Sequence, residues 1–235
     1  MVRFREIVFS VNSFAAAMLA LFVSMSIGLE RPFWAMATVY IVSQPLTGTV
    51  RSKAAYRFGG TLIGAAGAVL IVPPLANAPV LCSIVMALWV CGCQFLSLLD
   101  RTPRSYLFML AGYTAAIIGF PAVAHPDQVF NIAVLRAEEI GLGVLCAALV
   151  HSVVLPRGVT GVLNARLAQI EQDARQWVLD ALSDRDAGAR DRNLMAHDIT
   201  ELHLLSTHVP YDTDAAAPVR AGLAALQDRL MLLAP

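Results

Sequence analysis

Charge is scarce in this chain of 235 residues: 14% are Asp, Glu, Lys or Arg, where a water-soluble domain carries about 25%. With 57% hydrophobic residues and a mean hydropathy of +0.65, the composition excludes a single water-soluble globule. There is no excess charge of either sign either, because 17 basic residues cancel 17 acidic ones. A phosphate-binding surface needs a surplus of Lys and Arg, so nucleic acid is excluded as a partner. Cysteine is limited to Cys82, Cys91, Cys93 and Cys146, all within apolar runs. None has the charged neighbour that favours a thiolate, so they read as small packing residues and not as a redox or metal pair. No nucleophile–base constellation, phosphate loop or dinucleotide fingerprint is present, which points away from an enzyme and from any cofactor. His197, His203 and His208 are spaced six and five residues apart, do not share a helix face and have no Cys beside them, so no metal site is expected.

The zero net charge conceals a division. Residues 1–157 hold 10 basic and 6 acidic side chains, and residues 158–235 hold 7 and 11, giving +4 and −4. The two regions differ in hydrophobic pattern as well. A helix needs about 20 apolar residues to cross the hydrocarbon core, since each backbone polar group must be bonded within the segment. Six stretches meet that need: Ile7–Gly28, Phe33–Val50, Ala54–Val72, Val80–Leu99, Ser105–Val123 and Ile132–Leu155. The expected fold is therefore all-α, a six-helix transmembrane bundle over residues 1–157. The first stretch is long for a signal peptide, lacks an A-x-A site and is followed by five more, so it reads as an anchor. With the N-terminus inside, Arg3, Arg5, Arg51, Lys53, Arg57, Arg101, Arg104 and Arg157 fall on the cytoplasmic side and only Arg31 and Arg136 outside.

Past Pro156 the apolar period becomes helical and amphipathic. Val159, Val162, Leu163, Leu167, Ile170, Ala174, Trp177, Val178 and Ala181 recur at steps of three and four among charged residues. Two further helical stretches are expected, near residues 191–207 and from Pro218 through Leu223, Leu226, Leu230 and Leu233. Residues 158–235 thus read as the start of a helical cytoplasmic domain that the chain cuts short.

Polar groups within the apolar stretches are the informative ones, because a charge at bilayer depth costs at least ~2.5–3.5 kcal/mol on insertion scales and turns to a partner or cavity. In the sixth stretch Arg136, Glu139, Gly143, Cys146, Ala147 and Val150 share a helix face, with Glu138 opposite them. Arg136 offers a donor fork for a carboxylate, and Glu139 a site for a proton. The alternative places both at the outer interface. In the second stretch Trp34, Thr38 and Pro45 share a face, with Ser43 and Gln44 just before the proline. A proline break exposes carbonyls, which membranes tolerate where they are buried or line a wet cavity. The candidate pathway residues are therefore Trp34, Thr38, Gln44, Pro45, Arg136 and Glu139. Gly60 and Gly64, a small-xxx-small pair, and Gly143 with Ala147 are candidates for close helix packing.

The segment Arg31-Pro32-Phe33-Trp34-Ala35, with Thr38 to Pro45 and Arg51-Ser52-Lys53-Ala54, resembles the signature of the fusaric acid resistance (FUSC) family, which includes aromatic acid exporters. The likeness continues through Tyr56-Arg57, Gly60-Thr61, Gly64, Arg136, Glu139-Ile140 and Gly143. It implies an inner-membrane efflux transporter for aromatic carboxylic acids, often working with a periplasmic adaptor subunit. Members commonly carry the six-span plus cytoplasmic layout twice, which implies a homo-oligomer or half of a duplicated chain. Three functions are consistent with the residues: a proton-coupled exporter, a passive organic-anion channel, and a non-transporting membrane assembly subunit.

Overall fold

The structure, a computed structural model, describes residues 2–100, 102–154 and 159–182, together with Glu201, Leu204, Leu205, Thr207, His208 and Tyr211. Among these residues every regular element is helical: α1 (Val2–Ser26), α2 (Phe33–Val42), α3 (Thr47–Leu75), α4 (Pro79–Leu99), α5 (Ser105–Ala122), a 3₁₀ turn at Pro126–Gln128, α6 (Val129–Val153) and α7 (Val159–Leu182). The two further tail helices expected from the sequence, with His197 and His203, fall almost wholly outside the described residues. The chain divides into two compact units, residues 1–45 with 50–156 and residues 46–49 with 157–235.

Among the described residues four helices are long and apolar enough to cross a membrane: Glu6–Ser26, Thr47–Leu75, Pro79–Leu99 and Ser105–Ala122. The expected count of six is not reached by this measure, for two different reasons. The predicted stretch Phe33–Val50 stops at Val42, leaving a helix of 10 residues, about 15 Å long against a core of about 30 Å. Pro45 causes the break, because it lacks an N–H and its ring drives the preceding residue out of the helical region. Ser43 has already left the helix, with ψ at 127°, and its hydroxyl donates to Val39 O at 2.8 Å. The chain re-enters a helix at Thr47, so α3 starts seven residues before the expected Ala54 and runs on through Pro73 and Pro74. The other shortfall is α6, whose 25 residues suffice in length but carry Arg136, Glu138 and Glu139.

Two apolar clusters organise the first unit. Ala16, Ala17 and Ala20 of α1 pack with Ala35, Val39 and Val42 of α2 and with Cys146 and Ala147 of α6. Ala65, Ala68, Ile71 and Val72 of α3 pack with Cys82 and Met86 of α4, Ala115, Ile118 and Ala122 of α5, and Val129 and Ala133 of α6. Small residues dominate both, so backbones rather than long side chains meet, as expected where lipid supplies no hydrophobic drive between helices. Gly28 ends α1 in the left-handed region (φ 75°). Its N–H bonds Met25 O and that of Leu29 bonds Ser24 O, a Schellman cap that turns the chain toward Glu30 and Arg31.

In the second unit Val159, Leu163 and Ile170 are buried with Leu46, Leu167 and Leu205. Arg166 pairs with Glu201, and Arg175 with Glu171 one turn away.

Gly64 lies on α3 against α5, where an added Cβ falls 2.7 Å from Ala111 O and 2.7 Å from Thr114 Cβ; Gly92 on α4 faces open space. Alanine at the two positions therefore has effects of opposite sign. Gly92→Ala raises stability by up to about 1 kcal/mol through helix propensity, and Gly64→Ala lowers it by about 1–3 kcal/mol through overpacking, as read by thermal unfolding in detergent. Equal responses would contradict the α3–α5 contact.

Candidate functional site

α2 and α6 pack side by side, and Thr38, Ser43, Arg136, Glu139 and His151 are buried polar groups on them. The face of α6 with Arg136, Glu139, Gly143, Cys146 and Ala147 is buried, while Glu138, Leu145 and Leu149 are exposed. Close approach is possible because a Cβ on Gly143 would collide with Ala35 O and lie 2.7 Å from Thr38 Cβ. Ala147 is fully buried in the cluster with α1 and α2. Gly60 faces α5 in the same manner as Gly64, with an added Cβ 2.6 Å from Leu107 O.

Near the α1–α2 loop, Arg136 and Glu139 form a buried ion pair. Arg136 Nη1 donates to Glu139 Oε2 at 3.2 Å, and the side chains are 4% and 2% exposed. Glu139 Oε1 also accepts the Arg31 backbone N–H at 3.0 Å. The Arg136 guanidinium lies over the Trp34 ring, 4.1 Å from its centroid, in the geometry of a cation–π contact. Arg136 Nε is buried without an acceptor. The pair is thus level with the loop, as an interfacial reading expects, yet enclosed by helices as a pathway reading expects.

One turn along α2, Thr38 Oγ1 accepts from Arg57 Nε and Nη2, both at 3.3 Å. Arg57 Nη1 donates to the hydroxyl of Tyr106 on α5 at 3.1 Å. Arg57 is 1% exposed. Sequence reasoning had grouped it only with the cytoplasmic cations; in the structure the side chain is buried and tethers α3 to α2 and α5. The signal was present: Arg57 is the only charged residue between Ala54 and Val72.

At the end of α2, His151 Nε2 and Ser43 Oγ are 3.0 Å apart. Because the Ser43 proton is committed to Val39 O, His151 Nε2 is the donor. Its ring stacks on Phe9 at 5.7 Å, and Arg51 Nη2 donates to the neighbouring Ser152 Oγ at 3.1 Å. Neither His151 nor Ser43 had been singled out as a pathway residue.

Of the six pathway candidates, the structure brings Trp34, Arg136 and Glu139 together and places Thr38 one turn away. Gln44, half-buried, and Pro45, exposed, lie in the break between α2 and α3 and do not join that group. Tyr40, also on α2, is 49% exposed.

Apolar helices of crossing length around a buried guanidinium–carboxylate pair define a helical membrane protein. The chain belongs to the fusaric acid resistance protein family, whose sequence model matches residues 6–235. It is similar to proteins described as p-hydroxybenzoic acid efflux pump subunit AaeB. The one from Edwardsiella ictaluri is 30% identical over 187 residues, 76% of this chain and 29% of that protein. The Citrobacter koseri protein is 35% identical over 164 residues, 66% and 25% of the two chains. The Escherichia coli O9:H4 protein is 33% identical over 175 residues, 71% and 27%. The aligned region is thus less than a third of the length of these relatives.

Removing one charge of the Arg136–Glu139 pair strands the other inside the bundle. Glu139→Gln is expected to cost about 3–5 kcal/mol, and the double replacement Arg136→Met with Glu139→Leu much less. Thermal melts of the purified variants check this, and a double variant that melts below Glu139→Gln would count against the pair.

Proposed function

We propose that the chain is the membrane-embedded part of an exporter of aromatic carboxylic acids in the bacterial inner membrane. The observation that carries this reading is the Arg136 guanidinium, held between Glu139 and the Trp34 ring. An aromatic acid is a flat apolar ring bearing one anionic carboxylate. A guanidinium supplies the donor fork for that carboxylate, and an indole offers apolar surface to the ring. The similarity to the p-hydroxybenzoic acid efflux pump subunits supports p-hydroxybenzoate as a substrate.

Glu139 gives the cycle its proton. As a carboxylate it occupies Arg136 Nη1 and competes with the substrate for the same cation. Protonated, it releases Arg136 to the substrate, and deprotonation returns the pair to its closed arrangement. Binding and proton transfer are thereby linked through one guanidinium, and no covalent step is involved. In this reading the polypeptide makes six passes, with α2 and the break at Pro45 together forming a passage shorter than a regular span. The N-terminus and the region after residue 157 are cytoplasmic, in accord with the Lys and Arg distribution. A periplasmic adaptor subunit, and a second copy or second half, complete the working unit.

The test is accumulation of radiolabelled p-hydroxybenzoate in cells that lack their own aromatic acid exporters. Expression of the chain with its adaptor is expected to lower accumulation. Glu139→Gln abolishes that effect while the protein still reaches the membrane, and Arg136→Gln weakens it about tenfold or more, the scale of a lost hydrogen bond to a charged group. Efflux by Glu139→Gln at the normal rate would remove Glu139 from the mechanism.

A further inference from the structure

Arg136 has a carboxylate partner, but Arg57 has none among the described residues. Its three bonds go to two neutral oxygens, Thr38 Oγ1 and the Tyr106 hydroxyl. A guanidinium has five N–H donors, so two remain after those three. Thr38 and Tyr106 act here as acceptors, which leaves their own hydroxyl protons to donate elsewhere. Lys53, one turn before Arg57 on α3, holds its ammonium over the Tyr106 ring at 5.8 Å. Among the described residues this point thus gathers two cations and two hydroxyls, and no carboxylate.

The position is enclosed by protein, with Arg57 1% exposed. Arg57 lies ten residues past Thr47, the first residue of α3, about 15 Å along the helix axis. Thr38 is four residues past Trp34 on α2, a separation of about 6 Å along the axis. Thr38 also faces α6, where Gly143 comes close. Arg57 is therefore one helical step beyond the Arg136–Trp34 pair along the same seam. A buried cation without a counter-charge is costly in a bundle of apolar helices, and an anion that binds there removes the cost.

We propose that Arg57, Thr38 and Tyr106, with Lys53 beside them, form a second carboxylate-binding station, which an aromatic acid occupies after or before Arg136. The station rests on the exporter reading for the identity of its ligand, but its chemistry is distinct. Arg136 is released to the ligand by protonation of Glu139, whereas Arg57 has no competing carboxylate among the described residues and binds carboxylate without a proton. Two stations about one turn apart let a carboxylate pass from one guanidinium to the next without becoming unpaired in the bundle.

Calorimetric titration of the full chain in lipid nanodiscs tests this, with benzoate as the probe and neutral benzamide as its control. Benzoate is expected to bind and benzamide not. Arg57→Gln weakens benzoate binding about tenfold or more and Tyr106→Phe about threefold or more, the scale of lost hydrogen bonds to an ion, while Arg57→Lys retains part of it. Without ligand, Arg57→Gln melts at or above the parent temperature, because a bare buried charge has gone. If that variant does not fold, Tyr106→Phe and Arg57→Lys decide the matter. Benzoate binding unaltered in Arg57→Gln, or in Tyr106→Phe where that variant decides, overturns the station, as does an absence of benzoate binding to the parent chain. Efflux that continues with benzoate binding lost only in Arg136→Gln overturns the station and leaves the exporter reading intact. Arg57-dependent binding without any efflux does the reverse.

Discussion

A guanidinium that cannot reach water must find its partners inside the protein, and that constraint organises this bundle. Arg136 and Arg57 are both buried, and each reaches a group on another helix, although the carboxylate of Arg136 comes from one turn along its own helix α6. Arg136 draws Glu139 and Trp34, with the Arg31 backbone completing the carboxylate's bonds. Arg57 draws Thr38 and Tyr106. The Arg57 bonds join α3 to α2 and α5, and the Arg136–Trp34 contact joins α6 to α2. Interchangeable alanines and valines on a lipid-facing helix give little preference for one rotation over another.

Glycine makes the arrangement sterically possible. Gly143 admits α2 against α6 at the level of Thr38, and Gly60 and Gly64 admit α5 against α3 near Arg57. Close backbones bring short polar side chains within reach of long basic ones. The α2–α6 seam is consequently narrow, polar and enclosed, whereas most of α4 is exposed apolar surface. The ionic groups gather along α2 at three successive levels, marked by Trp34, Thr38 and Ser43, with Arg136, Arg57 and His151 as their basic partners. His151 at the last level is bonded to Ser43 and stacked on Phe9.

Much of this was legible in the residues themselves. Unbroken apolar length locates α1, α4 and α5 closely, and helical spacing alone puts Arg136, Glu139 and Gly143 on one face. The break in α2 was signalled by Pro45, but its consequence was not, because a length count assigns the residues up to Val50 to the helix before the proline. In the fold, residues from Thr47 onward belong to α3. The enclosure of Arg57 was missed for a related reason: counted from Ala54 it stands in the first turn of its helix, whereas in the fold α3 begins at Thr47 and Arg57 falls in its third turn. His151 and Tyr106 gave no local pattern at all, since their partners are 108 and 49 residues away in the chain.

The central claim is that an aromatic carboxylate travels along the α2–α6 seam rather than across the exposed face of α4. Photolabelling with 4-azidobenzoate, followed by peptide mapping, tests it most directly. Adducts are predicted on α2 and α6 between Trp34 and Thr38 and between Arg136 and Gly143, suppressed by excess p-hydroxybenzoate. Labelling confined to α4, and indifferent to that competitor, would contradict the account.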